Sequence, residues 1–364
     1  MRILFAGGGT GGHLYPGLAI ARAMRRASSA VDPFFVGALR GIEKEVLPRT
    51  EFPHELLDLH PLYRSRPWEN WKTIRGALSG WGRLKRIVKS VPPSVVVGTG
   101  GYASGLALGY ARMHGIPYVV QEQNSYPGLT TRFFARHARQ VHLGFPEAAS
   151  HLKPGKDTQV LDTGNPIEPP PSPRPDREDA REAWGFPANG GRVMLVYGGS
   201  QGSKAINDVV AAWIEQGIPD NLFVIWATGR KNYSAYEHFE SERIKVRPYL
   251  SPVSEAYAAS DFALSRGGAM ATAELCAWGI PPIIVPLPTA AADHQTANAR
   301  ALSAAGAGEM IIQSAFSPET LDSSVKKLLE TPSLLEQRSE AVLVRSRPHA
   351  ADTIAQRILS IVKS

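Results

Sequence analysis

The chain has 364 residues, enough for two domains of ordinary size, each with its own buried core. Its 43% hydrophobic and 20% charged content excludes a disordered or fibrous protein. A single cysteine, Cys276, excludes a disulfide framework and fits a reducing cytoplasm, while the net charge of +7 favours anionic partners: nucleotides, nucleic acid or lipid headgroups.

The opening Met1-Arg-Ile-Leu-Phe-Ala is too short an apolar run for a secretion signal and leads straight into glycines. It reads as a first strand, Ile3–Ala6, followed by Gly7-x-Gly9-x-x-Gly12. That spacing matches the dinucleotide fingerprint, in which glycines let the backbone approach a ligand and leave amides at a helix N-terminus. A nicotinamide enzyme also needs an acid at the end of its second strand, for the ribose. The second strand, Pro33–Val36, ends in Phe35-Val36-Gly37 instead, which removes the dehydrogenase reading.

From Tyr63 to Lys89 the chain is aromatic and basic together. At helical spacing Trp68, Trp71, Ile74, Leu78, Trp81 and Val88 share one broad face, with Arg75, Arg83, Lys85, Arg86 and Lys89 nearby. Such a helix suits an anionic headgroup region; the alternative is a helix packed on a sheet with solvated charges. The next stretch, Ser90 to Ala111, carries no charge, but its two prolines and five glycines rule out a membrane span. It reads as the strand Val95–Gly98, a glycine turn and a helix. Tyr118–Gln121 and Gln140–Leu143 complete the strands of the first half. All are nearly continuous in apolar residues, as parallel strands buried on both faces should be.

Six prolines between Gly164 and Pro175 then mark a stiff linker. The domains expected are residues 1–163, joined by the C-terminal helix 347–364; a linker, 164–176; and residues 177–346. The second half repeats the pattern, with strands at Val193–Tyr197, Leu222–Trp226, Ile244–Val246, Phe262–Leu264, Pro282–Val285 and Glu309–Ile312. Its first glycine loop, Gly199-Ser-Gln-Gly202-Ser-Lys204, lacks the spacing of a P-loop, so an NTPase is excluded. Ser265-Arg-Gly-Gly-Ala-Met opens a helix carrying Glu274: a diphosphate could sit on the amides of Gly267 and Gly268, with Glu274 accepting from ribose hydroxyls. Asp293-His-Gln295 begins another helix; its polar groups suit a sugar, and Asp293 equally suits an N-cap. No Asp-x-Asp pair and no His/Cys cluster with metal-ligand spacing occurs, so helix dipoles and Arg or Lys groups are expected to stabilise a leaving diphosphate. The architecture that follows is α/β, two Rossmann-like doubly wound domains facing a cleft that holds a nucleotide diphosphate.

Taken together the motifs resemble the MurG family of bacterial cell-wall N-acetylglucosaminyltransferases, which turn lipid I into lipid II. The resemblance runs the whole chain: Gly8-Gly-Thr-Gly-Gly-His13-x-x-Pro16, Gly100-Gly-Tyr-Ala-Ser-Gly105, Glu122-Gln-Asn124 with Pro127-Gly128, Gly164-Asn-Pro166, Gly198-Gly-Ser-Gln-Gly202 with Asn207, Ser265-Arg266-x-Gly268 with Glu274, and Asp293-x-Gln295. It implies a GT-B fold, with the nucleotide on the C-terminal domain and the acceptor on the N-terminal one. It further implies inverting, metal-independent transfer of N-acetylglucosamine from UDP-N-acetylglucosamine to the C4 hydroxyl of lipid I, with no cofactor, for peptidoglycan synthesis, cell shape and division. By resemblance, Ser200, Arg266, Gly267 and Gly268 handle the diphosphate, Glu274 the ribose, and the backbone of Tyr249 and Leu250 the uracil. Thr10, His13, Asn124 and Gln295 hold the donor sugar or reacting end, Gly11, Gly12 and Asn207 also bind substrate, and Tyr102 and Glu122 lie on the acceptor side.

A lipid-linked acceptor makes peripheral attachment to the cytoplasmic face of the inner membrane the expectation, with Trp68, Trp71, Trp81, Arg83, Lys85 and Arg86 as contacts. Association with other cell-wall enzymes is also expected. Where the family often has Arg after Gly-Asn-Pro-hydrophobic, this chain has Glu168, and Lys204 is the candidate to replace it. Inversion needs a base near neutral pH within reach of the acceptor hydroxyl. His13 titrates in that range, and Glu122 is the other candidate. A UDP-N-acetylglucosamine 2-epimerase of the same fold is the rival enzyme. Nucleic-acid binding is set aside, because the basic residues cluster beside one helix and the glycine loops would be unexplained.

Overall fold

The computed structural model describes residues 1–61, 67–199 and 201–363. It comprises two compact units, Met1–Glu168 with His349–Ser364, and Pro169–Pro348.

Unit 1 contains seven described strands: β1 (Arg2–Ala6), β2 (Asp32–Ala38), β3 (His54–Leu57), β4 (Val95–Gly98), β5 (Tyr118–Glu122), β6 (Gln140–Leu143) and β7 (Gln159–Asp162). They form one parallel sheet in the order β3-β2-β1-β4-β5-β6-β7. Its helices are α1 (Gly11–Ala27), α2 (Glu43–Val46), α3 (Asn70–Ser90), α4 (Gly101–Met113), α5 (Leu129–Phe134) and the C-terminal helix Ala350–Lys363. β4, β5 and β6 are buried along their whole length because helices cover both faces. On one face Leu4, Val96 and Val120 pack with Leu84 of α3 and Leu108 of α4; on the other, Ile3, Phe5 and Val97 pack with Leu14 and Ile20 of α1 and Ile354 and Ile358 of the C-terminal helix. Arg26 and Asp352, 2.7 Å apart, close the seam between α1 and that last helix.

The strands β3 and β7 are absent from the sequence-based reading. Both are edge strands with a single neighbour, and their sequences, His-Glu-Leu-Leu and Gln-Val-Leu-Asp, offer no buried apolar run to recognise.

Helix α3 divides its faces differently from the expectation. Gly76, Gly80, Leu84 and Val88 form the buried face, and Gly80 lets Leu59 and Leu106 approach the helix backbone. Trp71, Ile74 and Leu78 are exposed, as is Trp68 in the preceding turn at 73%. Trp81, expected among them, turns inward: its ring lies 5.0 Å from that of Tyr110 and packs on the core. Arg83 is ion-paired with Glu55, while Lys85 and Arg86 stay exposed. Tyr63, Arg64 and Arg66, at the start of this aromatic-basic stretch, lie outside the described residues.

Unit 2 carries β8 (Arg192–Tyr197), β9 (Leu222–Ala227), β10 (Ile244–Arg247), β11 (Phe262–Ser265), β12 (Pro282–Ile284) and β13 (Glu309–Met310), parallel in the order β10-β9-β8-β11-β12-β13. Its helices are α6 (Arg177–Ala183), α7 (Lys204–Gln216), α8 (Val253–Ala259), α9 (Ala269–Trp278), α10 (His294–Ala304), α11 (Pro318–Glu330) and α12 (Pro332–Val344). Trp213, Trp226 and Phe262 fill one face of this sheet; Leu195, Ile225 and Tyr257 fill the other. At the start of β11 the carboxylate of Asp261 is buried, accepting from Arg181 (2.7 Å), Arg192 (2.9 Å), Arg177 and the amide of Val193 (2.7 Å).

Candidate functional site

In unit 2 the sheet order reverses between β8 and β11, and an open parallel sheet takes its ligands at the carboxyl ends of the strands flanking such a reversal. There β8 runs through Gly198–Ser203 into α7, and β11 runs through Arg266–Gly268 into α9. A cavity of about 390 Å³ opens at this point, lined by Gly199, Ser203, Arg266, Gly268, Gln295 and Gln313 among others. Neither α7 nor α9 has an acidic residue in its first turn, so both present unopposed positive dipole ends. A side chain at Gly202, where φ is +74°, would collide with the carbonyl of Thr228. An added Cβ at Gly268 would meet only open space, so the amides there are accessible.

Arg266 supplies the charge. It is 7% exposed; Nη1 donates to the carbonyls of Val285 (3.0 Å) and Pro286 (3.2 Å), and Nη2 to Ser203 Oγ (2.7 Å). These partners are neutral, and burial lowers the guanidinium pKa from its ordinary value. A buried cation held by neutral acceptors beside two helix N-termini has the chemistry that suits an anion. Ser200 lies outside the described residues. Lys204 lines the cavity with its ammonium 2.7 Å from Asp208.

The remaining donor-side residues fall around this centre. Glu274 on α9 accepts the hydroxyl of Tyr257 at 2.7 Å. That phenol is pushed well above its usual pKa, first by burial and then by Tyr197 and Glu274, so it stays the donor. Gln295 Oε1 accepts the amide of Leu287 at 3.0 Å, which orients the amide group of its side chain. Asn298 donates to the carbonyl of Gly267 (3.0 Å), and a Cβ at Gly267 would strike the carbonyl of Gln295, so α10 is locked to the Arg266–Gly268 turn. Tyr249 is exposed with Arg230 stacked 5.3 Å above its ring, and Leu250 packs on the core. Asn207 is fully buried, donates to the carbonyl of Thr228 (2.8 Å) and accepts from Trp226 Nε1 (3.1 Å), so both ends of its amide brace the fold.

In unit 1, Thr10 is the N-cap of α1, and Gly11, Gly12 and His13 form its first turn. His13 Nδ1 lies 3.2 Å from the carbonyl of Gly8 and 3.3 Å from Thr10 Oγ1. A carbonyl only accepts, so this contact favours the tautomer with the proton on Nδ1. The ring rests on the Gly100–Gly101 turn, where φ is +101° and +76° and any side chain would collide with the imidazole or with Gly8. Tyr102 packs against Gly9. Glu122 is 4% exposed; Oε1 accepts from the backbone (3.1 Å) and side-chain (3.3 Å) nitrogens of Asn124, and Oε2 from the amide of Gly128 (3.0 Å), so its carboxyl group ties the Asn124–Gly128 loop.

Two participants went unread in the sequence. Gln313 enters the cavity from beyond β13, and its Oε1 is buried without a hydrogen bond. Glu43 lies fully buried beneath the Gly7–Gly9 loop. The only sequence signal for Glu43 was an acid between Gly41 and a short amphipathic run.

Comparison with known proteins agrees with this geometry. The glycosyltransferase family 28 N-terminal domain matches residues 3–143, and the family 28 C-terminal domain residues 193–356. A UDP-N-acetylglucosamine–N-acetylmuramyl-(pentapeptide) pyrophosphoryl-undecaprenol N-acetylglucosamine transferase of Moorella thermoacetica is 36% identical over the whole of both chains; that of Chlorobaculum parvum is 37% identical, again with full coverage. Among solved structures, Acinetobacter baumannii MurG superposes with a TM-score of 0.77 at 26% identity over 99% of each chain. The calicheamicin glycosyltransferase CalG4, at 14% identity, shares the fold alone, with a TM-score of 0.66 over 99% of this chain and 98% of its own. The fold class is therefore GT-B.

Proposed function

Because this chain belongs to the MurG family of N-acetylglucosamine transferases within glycosyltransferase family 28, we propose that it moves N-acetylglucosamine from UDP to the C4 hydroxyl of the N-acetylmuramyl-(pentapeptide) acceptor on undecaprenyl pyrophosphate. The observation that carries the donor half is Arg266, a buried cation with neutral partners beside the N-termini of α7 and α9. The 2-epimerase alternative is not favoured, since full-length relatives at 36% and 37% identity are transferases.

In the reaction the acceptor oxygen attacks the anomeric carbon as the bond to UDP breaks, and the configuration inverts. Arg266 and the two helix ends take up the charge that grows on the leaving diphosphate, so no divalent ion is required. Glu274, held by Tyr257, accepts from the ribose. His13, with its proton on Nδ1, takes the acceptor proton at Nε2. The acceptor is lipid-linked, and the exposed Trp68, Trp71, Ile74 and Leu78 beside Lys85 and Arg86 suit an anionic membrane surface. No helix among the described residues is long and apolar enough to cross a membrane, and the attachment proposed is peripheral, on the cytoplasmic face.

UDP release from UDP-N-acetylglucosamine, followed in EDTA with and without a short-chain acceptor analogue, tests the reading. Acceptor-dependent UDP with a disaccharide product is expected. Release only after Mg²⁺ is added would remove the metal-free step, and epimerised sugar without UDP would remove the transferase.

A further inference from the structure

His13, in the first turn of α1, follows the glycine loop Gly7–Gly9 at the end of β1. The Gly8 amide donates to the carbonyl of Gly100 at 3.3 Å, and Tyr102 lies against Gly9. A further brace is Glu43, which comes from a separate turn after β2 and is fully buried. Its Oε2 accepts the amide of Gly9 (3.0 Å) and its Oε1 the amide of Ala38 (3.1 Å), at the end of β2. The carboxylate is seated against glycine on three sides. A Cβ added at Gly8 would fall 1.7 Å from Oε1, one at Gly41 1.9 Å from Oε2, and one at Gly37 2.9 Å from the Glu43 Cβ. A neutral amide would set an N–H against one of the two amides it now satisfies.

We propose that Glu43 is a positioning residue for proton transfer by His13. The chain of contacts is short. Glu43 fixes the Gly9 amide, and with it the Gly8–Gly9 peptide. The Gly8 carbonyl belongs to that same peptide unit and lies 3.2 Å from His13 Nδ1, a contact that favours the proton on Nδ1. Release of Gly9 lets the Gly8 carbonyl turn away, and the imidazole loses both its tautomer and its aim. Glu43 touches neither substrate in this scheme. The proposal rests on the reading that His13 takes the acceptor proton, and the experiment separates the two.

The test is a double-mutant cycle on the full chain, with UDP release under saturating donor and acceptor as the readout. His13→Ala alone should abolish most turnover. Glu43→Gln alone should lower kcat about 30-fold, the scale on which a misplaced catalytic group costs rate, with the donor KM within about twofold of wild type. In the His13→Ala background Glu43→Gln should change kcat by less than about twofold, because nothing remains for it to aim. Equal losses in both backgrounds would make Glu43 a general structural brace and overturn the proposal, as would a single variant within about threefold of wild type. Near-wild-type turnover of His13→Ala would instead overturn the His13 reading itself, and the proposal with it. Should Glu43→Gln fail to fold, Gly41→Ala takes its place: it presses on Oε2 from outside the loop and leaves the charge intact. It should show the same His13-dependent loss, and its absence would count against Glu43.

Discussion

Replacing Arg266 with Met tests the donor site most directly, because the structure separates its effect on binding from its effect on folding. In the free protein the guanidinium donates to two carbonyls and to Ser203 Oγ, at 3.0, 3.2 and 2.7 Å. Removing it leaves those acceptors without this donor, at about 1 kcal/mol each, but also removes a desolvated charge. The two effects oppose one another, so unfolding free energy should change by less than about 2 kcal/mol. Binding should respond more strongly. A charge-assisted hydrogen bond to a phosphate in such a site is worth about 1.5–3 kcal/mol, and each 1.4 kcal/mol is tenfold in Kd. UDP should therefore bind about 10- to 100-fold more weakly to Arg266→Met by calorimetric titration. Arg266→Lys should recover only part of this, since one ammonium cannot span both carbonyls and Ser203. Uridine, which has no phosphate, is the control and should bind both proteins alike. A UDP Kd within twofold of wild type, or an equal loss for uridine, would refute the assignment of Arg266 to the diphosphate.

Four further outcomes follow from the same geometry. Tyr257→Phe removes the 2.7 Å bond to Glu274 and should raise the donor KM about 3- to 10-fold, an effect that should vanish with the 2′-deoxyuridine donor. Asp261→Ala strands Arg181, Arg192 and Arg177 and should cost about 3–5 kcal/mol by chemical denaturation, with UDP affinity in the residual folded fraction unchanged. His142 is fully buried, and burial first, then Arg357, lowers its pKa from 6.5 to about 4. The unfolded chain therefore binds this proton first on acidification: stability is fully present above pH 6.5, falls by about 2 kcal/mol by pH 5, and loses nothing further below about pH 4, while His142→Gln should flatten that limb of the denaturation curve. Finally, Trp71→Ala with Leu78→Ala should reduce sedimentation with anionic liposomes, with solution turnover of a short-chain acceptor unchanged; equal sedimentation would count against the membrane face.

The strands legible in the sequence are those whose side chains are buried on both faces. Val95–Gly98 and Gln140–Leu143 agree with β4 and β6 to the residue: burial on two sides gives β4 an unbroken apolar run, and in β6 Val141 and Leu143 flank the buried His142. β3 and β7 escape because an edge strand with one neighbour tolerates Glu and Gln in the ladder. The aromatic face of α3 was misdrawn for a related reason. Helical spacing groups Trp81 with Trp68 and Trp71, but it cannot tell which apolar side chain has a partner across the core. Tyr110 and His114 of the α4 region supply one for Trp81, and among the described residues Trp71 and Leu78 stay exposed.

The same limit divides the candidate site. Glycine loops, the helix-opening Ser-Arg-Gly-Gly and Glu274 at their spacing are local patterns, and the backbone chemistry they imply can be read one segment at a time. A polar side chain's role depends on what reaches it from elsewhere in the chain. Asn207 and Glu122 read as ligand contacts in the sequence; in the fold Asn207 also bonds Thr228 and Trp226, and Glu122 also bonds Asn124 and Gly128. Glu43 shows the converse: it looks like a surface acid in a charged stretch until Gly9 and Ala38 converge on it. A buried polar atom must be satisfied, so its partners have to be found before its role is read. Glu43 and Glu122 each have both carboxyl oxygens engaged by backbone amides, and His13 is the base proposed here.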